Sequence, residues 1–196
     1  MARQGKIKRK TKETDIELSL TIEGKGEPNI SSGNGFMNHM LTLFTKHGLF
    51  NLNLTCKGDI DVDFHHSAED IGICLGEALK KALADHKGIS RFSTAFVPMD
   101  ESLARVSLDI SGRSNLVYSV DLVDRKVNDF ECDLVEDFFK SFTDSACITM
   151  HVDLLRGRNS HHSIEAIFKA FGRALSEACS INPKAADQIP SSKGVI

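Results

Sequence analysis

Two copies of one short segment, His65-His66-Ser67-Ala68-Glu69 and His161-His162-Ser163-Ile164-Glu165, constrain this chain more than any other feature. Sliding the sequence by 96 residues lays 65–79 on 161–175, with identities at His65/His161, His66/His162, Ser67/Ser163, Glu69/Glu165, Ile71/Ile167, Gly76/Gly172, Ala78/Ala174 and Leu79/Leu175. So dense a self-match means internal duplication, and a duplication restricts the architecture before any motif is interpreted. Upstream the match continues at a slightly different offset, where Phe36-Met37-Asn38-His39 to Phe44-Thr45 resembles Leu134-Val135-Glu136-Asp137 to Phe142-Thr143.

Apolar residues alternate with polar ones at Ile16, Leu18, Leu20 and Ile22, at Leu52, Leu54 and Cys56, and at Ala104, Val106, Leu108 and Ile110. Period two predicts half-buried strands. Helical spacing covers 36–47, 66–85, 131–144 and 162–179, the Gly, Pro, Asn and Ser of 24–35 read as a loop, and Lys87-Gly88 ends the second helix. Each half is thus strands, helix, strand, helix. The boundary near Ile89 lacks linker composition, so the repeats 1–88 and 89–182, with a tail 183–196, are expected to form one domain over 1–196. The fold class is α+β: an internally duplicated two-layer unit, each half a mostly antiparallel sheet with two helices on one face, in a ribosomal-protein domain-like arrangement. For the whole chain this puts the four helices on one face of β-sheet.

With 41% hydrophobic residues, 196 residues are enough to bury a sizeable core. No run approaches the roughly 18 apolar residues of a membrane span. The first twelve residues are basic without an apolar stretch, so no secretory signal is expected and the default address is the cytoplasm. A net charge of -3 gives no field that selects nucleic acid, and the basic cluster Arg3, Lys6, Lys8, Arg9, Lys10 and Lys12 reads as a solvated strand face. The five cysteines, odd in number and without a Cys-x-x-Cys pair, read as mostly buried free thiols.

On a helix His65 and Glu69 share a face at i and i+4, and Glu69 is also within reach of His66. The adjacent His65 and His66 instead project about 100° apart. They therefore serve two different metal ions, or one ion and one substrate, and each half holds part of two sites. Imidazole with carboxylate suits manganese, iron or zinc, and the absence of cysteine disfavours a closed structural zinc. Open, octahedral-type sites follow.

Several further segments carry a resemblance that spans nearly the whole chain: Arg9-Lys10-Thr11-Lys12-Glu13-Thr14, Asn38-His39-Met40-Leu41, His47-Gly48, Ser111-Gly112-Arg113, Gly157-Arg158-Asn159-Ser160-His161-His162, Glu165-Ala166-Ile167-Phe168-Lys169-Ala170 and Pro190-Ser191-Ser192-Lys193-Gly194-Val195. With the two His-His segments, they make the chain resemble the imidazoleglycerol-phosphate dehydratase family of histidine biosynthesis. The resemblance implies a duplicated β-sandwich-with-helices subunit, two Mn2+ per active site, and a homo-oligomer of 24 subunits with active sites between protomers. It implies a phosphorylated small-molecule substrate, D-erythro-imidazoleglycerol phosphate, dehydrated to imidazole acetol-phosphate, and no membrane or nucleic-acid partner.

Carried over by residue, the resemblance makes His39, His65, His66, Glu69, His161, His162 and Glu165 metal ligands. Asp137 stands at the eighth position, commonly histidine in the family, where a carboxylate can also bind a hard ion. Asn38 stands where the family usually has aspartate before the ligand histidine. Glu13, His47, Glu69 and Glu165 take catalytic roles. Glu13, His39, His47, His65 and His161 meet the substrate, and Arg91, Arg113, Lys169, Ser191, Ser192 and Lys193 match the positions that hold its phosphate. Read alone, Glu13 is a solvated carboxylate among lysines, His47 a capping or core residue, Arg91 and Arg113 loop charges, and 191–193 a frayed tail. If the resemblance holds, that tail is ordered by substrate or by a neighbouring subunit. His86 and His151 match no ligand position, and the acidic run Asp59-Ile60-Asp61-Val62-Asp63 reads as a solvated strand or turn.

Two other functions share these ligands. A dinuclear metallohydrolase would act on a phosphorylated small molecule through metal-bound hydroxide. A metal-assembled scaffold would need neither a base nor a phosphate clamp, so Glu13, Arg113 and Lys193 discriminate against it.

Overall fold

The computed structural model describes residues 2–196. Alternation does produce strands: along β2 (Thr14–Thr21) Ile16, Leu18 and Leu20 are buried, while Glu17 is exposed. The first half runs β1 (Gln4–Lys10), β2, β3 (Glu27–Ser31), α1 (Gly35–Gly48), β4 (Asn51–Gly58) and α2 (His65–Leu83). The second runs β5 (Phe92–Met99), β6 (Ser102–Asp109), β7 (Asn115–Ser119), a small hairpin of β8 (Lys126–Val127) and β9 (Phe130–Glu131), then α3 (Leu134–Ala146), β10 (Thr149–Arg156) and α4 (Ser160–Cys179).

The two sheets have the same topology, β1-β2-β4-β3 and β5-β6-β10-β7. In each, the first three strands are antiparallel neighbours and the last pair is parallel. Thr14 of β2 answers to Ser102 of β6, and Asn51 of β4 to Thr149 of β10. The β8–β9 hairpin, which has no counterpart between β3 and α1, accounts for the step in offset from 88 to 98, and the shorter turn between β10 and α4 brings it back to 96.

Each half is the expected two-layer unit, but the halves meet helix to helix. α2 packs on α3 and α1 on α4, so the four helices lie between two sheets rather than on one face of one sheet. The apolar surface of α4 explains this: Ile164, Ala166, Ile167, Phe168, Ala170, Phe171, Ala174 and Leu175 are all fully buried, more than a single amphipathic stripe can supply. Phe171 stacks on Phe44 of α1 at 4.7 Å and meets Phe139 of α3 edge-on at 5.2 Å. The repeated glycines set the approach. A Cβ on Gly76 would stand 2.6 Å from the Phe142 carbonyl oxygen, and one on Gly172 would stand 2.5 Å from that of Phe44.

Three boundaries differ from the sequence reading. The segment 24–35 contains β3, disguised by Pro28, which is tolerated because β3 is an edge strand. The second helix stops at Leu83, before Lys87-Gly88, where Ala84 and His86 turn the chain at positive φ. The third helix starts at Leu134 because Phe130–Glu131 pairs with β8 instead. All five cysteines are free; four are buried and Cys147 is partly so.

Candidate metal centre

Helix α4 begins at Ser160 because Asn159 accepts the His162 amide as its N-cap. Its first turn therefore presents His161, with Glu165 one turn later. Packing of α1 on α4 adds His39. His39 Nε2 lies 3.2 Å and His161 Nε2 3.4 Å from Glu165 Oε2, and donor atoms of all three lie within 4.8 Å of one another. Lys169 Nζ sits 2.5 Å from the other oxygen, Oε1. Burial opposes ionisation of Glu165, but the hydrogen bonds from Lys169 and His39 outweigh it and hold the carboxyl below its ordinary value.

The duplication builds a second set from α2 and α3. His65 Nε2 lies 3.6 Å from Glu69 Oε1, and His65 Nδ1 lies 3.7 Å from Asp137 Oδ2. The helix start is supported by Asp63, whose Oδ1 accepts the His65 amide at 2.7 Å. Each chain thus carries two half-centres, a converging one, His39–His161–Glu165, and a looser counterpart, Asp137–His65–Glu69, in which the two carboxylates face opposite nitrogens of the ring.

The other histidine of each pair turns away, with ring planes at 89° for His65/His66 and 86° for His161/His162. Each of these outer rings is held through Nδ1 by a carboxylate. Asp59 lies 3.1 Å from His66, and Glu101 3.0 Å from His162, with Asp100 at 4.0 Å. A carboxylate on Nδ1 fixes the proton there and leaves the Nε2 lone pair able to accept a cation or a proton. The hydrogen bonds to Asp59 and Glu101 push both imidazoles above the ordinary value, and the bond from His162 holds Glu101 at about 2. Glu13, half-exposed, stands 3.9 Å from His66 Nε2.

Asp59 and Glu101 were not singled out as site residues in the sequence. The acidic run 59–63 is a turn, as read, but it also holds His66 and supports the start of α2. Glu101 could have been found from the strands: Thr14 aligns with Ser102, which puts Glu13 and Glu101 at equivalent positions. Asn38 Oδ1 accepts the Ser32 amide at 2.8 Å and ties α1 to the loop before it.

The remaining positions lie elsewhere. The Arg91 amide donates to the Ala178 carbonyl in the last turn of α4, and its side chain donates to Asp109 at 2.8 Å and to the Pro190 carbonyl at 2.7 Å. Arg113 is exposed, and Gly112 beside it packs against Ile196. Within the tail the Lys193 amide donates to Ser191 Oγ, and Ser192 is exposed. The tail therefore folds back beside Arg91 and Gly112. His161 and Ala178 stand near opposite ends of α4, about 25 Å apart at 1.5 Å per residue. One chain does not bring Arg91, Arg113 and 191–193 to its own half-centres. His47 lies between, in the last turn of α1, where burial and then the Lys169 and Arg173 charges hold its imidazole below the ordinary value. His86 and His151 belong to neither half-centre: His86 turns a loop, and His151 lies exposed on β10.

The donors fit a divalent first-row ion. Imidazole nitrogens and carboxylate oxygens at about 2.1 Å from an octahedral ion stand about 3 Å from one another. The 3.2 and 3.4 Å separations around Glu165 match that spacing, whereas Glu69 and Asp137 face opposite nitrogens of His65 at 3.6 and 3.7 Å and do not enclose a single ion as placed.

Fold and site together define a duplicated α+β protein with paired imidazole–carboxylate half-centres. The imidazoleglycerol-phosphate dehydratase family model matches residues 32–175. The imidazoleglycerol-phosphate dehydratase of Thermoanaerobacter sp. (strain X514) is 55% identical over 194 residues, 99% of this chain and 100% of that protein. That of Pelobacter propionicus is 52% identical over 196 residues, all of both chains. The crystal structure of the Staphylococcus aureus enzyme superposes with TM-score 0.83 at 43% identity, covering 91% of this chain and 99% of that one. That of the Pyrococcus furiosus enzyme in complex with (S)-C348 superposes with TM-score 0.84 at 34% identity, covering 97% and 100%. The chain belongs to the imidazoleglycerol-phosphate dehydratase family. It is a hydro-lyase of histidine biosynthesis. Among the described residues no helix is long and apolar enough to cross a membrane.

Proposed function

We propose that the chain dehydrates D-erythro-imidazoleglycerol phosphate to imidazole acetol-phosphate and water in the cytoplasm, with two Mn2+ per active site and with active sites formed between protomers of a 24-subunit homo-oligomer. The observation that carries this reading is the division of labour within one chain. The half-centres stand at one end of α4 and the anion-binding residues, Lys169 excepted, at the other, while His66 and His162 are held through Nδ1 by Asp59 and Glu101 rather than joining their own half-centres. A second protomer completes what each chain leaves open.

The hydroxyl that leaves is next to the substrate's imidazole, and the hydrogen on the following carbon is not acidic because no carbonyl activates it. Bound divalent ions supply the Lewis acidity that polarises the ring. His39, His161 and Glu165, with Asp137, His65 and Glu69, hold those ions and orient the ring. Cleavage of the ring-adjacent C–O bond, with the hydroxyl taking up a proton and departing as water, makes the hydrogen on the next carbon acidic. Glu13, beside His66 Nε2, is placed to take that proton, and the enol that remains tautomerises to the ketone. His47, whose imidazole is shifted below its ordinary value by partial desolvation and the nearby Lys169 and Arg173, hydrogen-bonds a substrate hydroxyl. Arg91, Arg113, Lys169, Ser191, Ser192 and Lys193 hold the phosphate, for which arginine forks are suited.

Mixed assemblies test the shared site. Glu165→Gln and Arg113→Ala chains, each inactive alone, are dissociated, mixed and reassembled. Turnover is expected to reappear in assemblies of unchanged size, because some sites then combine an intact half-centre from one chain with an intact phosphate clamp from another. Mixtures no more active than the two parents would contradict a site built across protomers.

A further inference from the structure

The duplication gives Glu13 a counterpart, Glu101, at the same place in the turn between the first two strands of its sheet: Lys10 pairs with Asp15 across one turn and Pro98 with Leu103 across the other. The two carboxylates are used differently. Glu101 is committed to its surroundings, facing His162 Nδ1 at 3.0 Å and accepting the Asn159 amide at 3.1 Å. Among the described residues no hydrogen bond reaches the Glu13 carboxylate, which stands 3.9 Å from His66 Nε2. A carboxylate left free to take a proton must have its direction set by its backbone.

That backbone is anchored from beneath. Thr11 Oγ1 accepts the amides of Glu13 and Thr14 at 3.0 and 2.9 Å, and the Glu13 carbonyl accepts the amide of Asp59, the residue that holds His66. Thr14, buried at 3% exposure, donates its hydroxyl to Oδ2 of Asp70 on α2, while Arg9 Nε donates to Oδ1 at 2.9 Å. Asp70, itself buried, is thus held on both oxygens and grips β1 and β2 on either side of the turn with charge-assisted bonds. The second half is built otherwise. Ala166 takes the place of Asp70, and Ser102, in the place of Thr14, meets Ser163 Oγ at 3.1 Å. The aspartate is present in the half whose glutamate is free and absent from the half whose glutamate is bound. We infer that Asp70 is a positioning residue for the dehydration: through Thr14 it fixes the backbone of Glu13 and so keeps an unbound carboxylate aimed beside His66. This rests on the role proposed above for Glu13.

Thr14→Val keeps the side-chain shape and removes the hydroxyl that Asp70 holds. In the assembled, Mn2+-loaded variant kcat is expected to fall at least about tenfold, with KM for imidazoleglycerol phosphate and bound metal unchanged, and Thr14→Ser is expected to recover it to within about threefold. Dependence on Glu13 separates positioning from a merely structural role. In a Glu13→Gln background Thr14→Val is expected to change kcat by less than about twofold, because the group it misplaces is already gone. Asp70→Ala is expected to act in the same way in both backgrounds and to add nothing to Thr14→Val. Near-normal turnover of Thr14→Val, an equal loss with and without Glu13, or a loss that follows bound metal would overturn the inference and leave Glu13 in its role. Near-normal turnover of Glu13→Gln alone would overturn it too, by removing the base that Asp70 positions.

Discussion

Glu165→Gln is expected to lower turnover about a thousandfold or more and to reduce bound metal from two ions per chain to one. Glu165 Oε2 is the point on which His39 and His161 converge, and Oε1 neutralises the largely buried Lys169. Glutamine preserves volume and removes the charge, so a neutral amide faces two imidazoles and an unpaired lysine. Metal-ion catalysis contributes several kcal/mol of charge stabilisation, and the loss of about 4 kcal/mol corresponds to three decades in rate. Steady-state turnover and elemental analysis of the assembled variant check this. Activity within tenfold of the unmodified enzyme, with both ions retained, would show that Glu165 does not hold the centre.

Glu13→Gln separates the proton transfer from metal binding. Glu13 is 54% exposed and reaches no half-centre donor, only the outer ring of His66 at 3.9 Å. Its removal is expected to leave metal content and assembly unchanged while turnover falls at least about a hundredfold, the usual loss for a general base. Near-normal turnover would take Glu13 out of the mechanism. A parallel loss of metal would recast it as part of the support for His66, the role Glu101 holds for His162.

The half-centres were legible in the sequence because a ligand pair at i and i+4 needs only one helix, and α2 and α4 carry such pairs in a repeat. His39 and Asp137 depend instead on which helices pack together, which period-3.6 patterning does not state. The same holds for the layers: the apolar surface of α4 announces burial without saying that the other side is covered by the opposite half. Strand β3 was hidden because an edge position tolerates Pro28 and its residues are only half-buried. Asp59 and Glu101 act through Nδ1 of histidines that are neighbours in space alone. The separation of Arg91 and Arg113 from the half-centres is likewise a matter of strand and helix length rather than motif, and it is what motivates the proposal of a site built from more than one chain.

The most direct measurement of the central claim starts from protein stripped with a chelator, reloaded with Mn2+ and given imidazoleglycerol phosphate. The proposed function predicts that a ketone phosphate with the imidazole intact forms with reloaded protein and not with stripped protein. Absence of that product, with metal bound and the assembly intact, would contradict it.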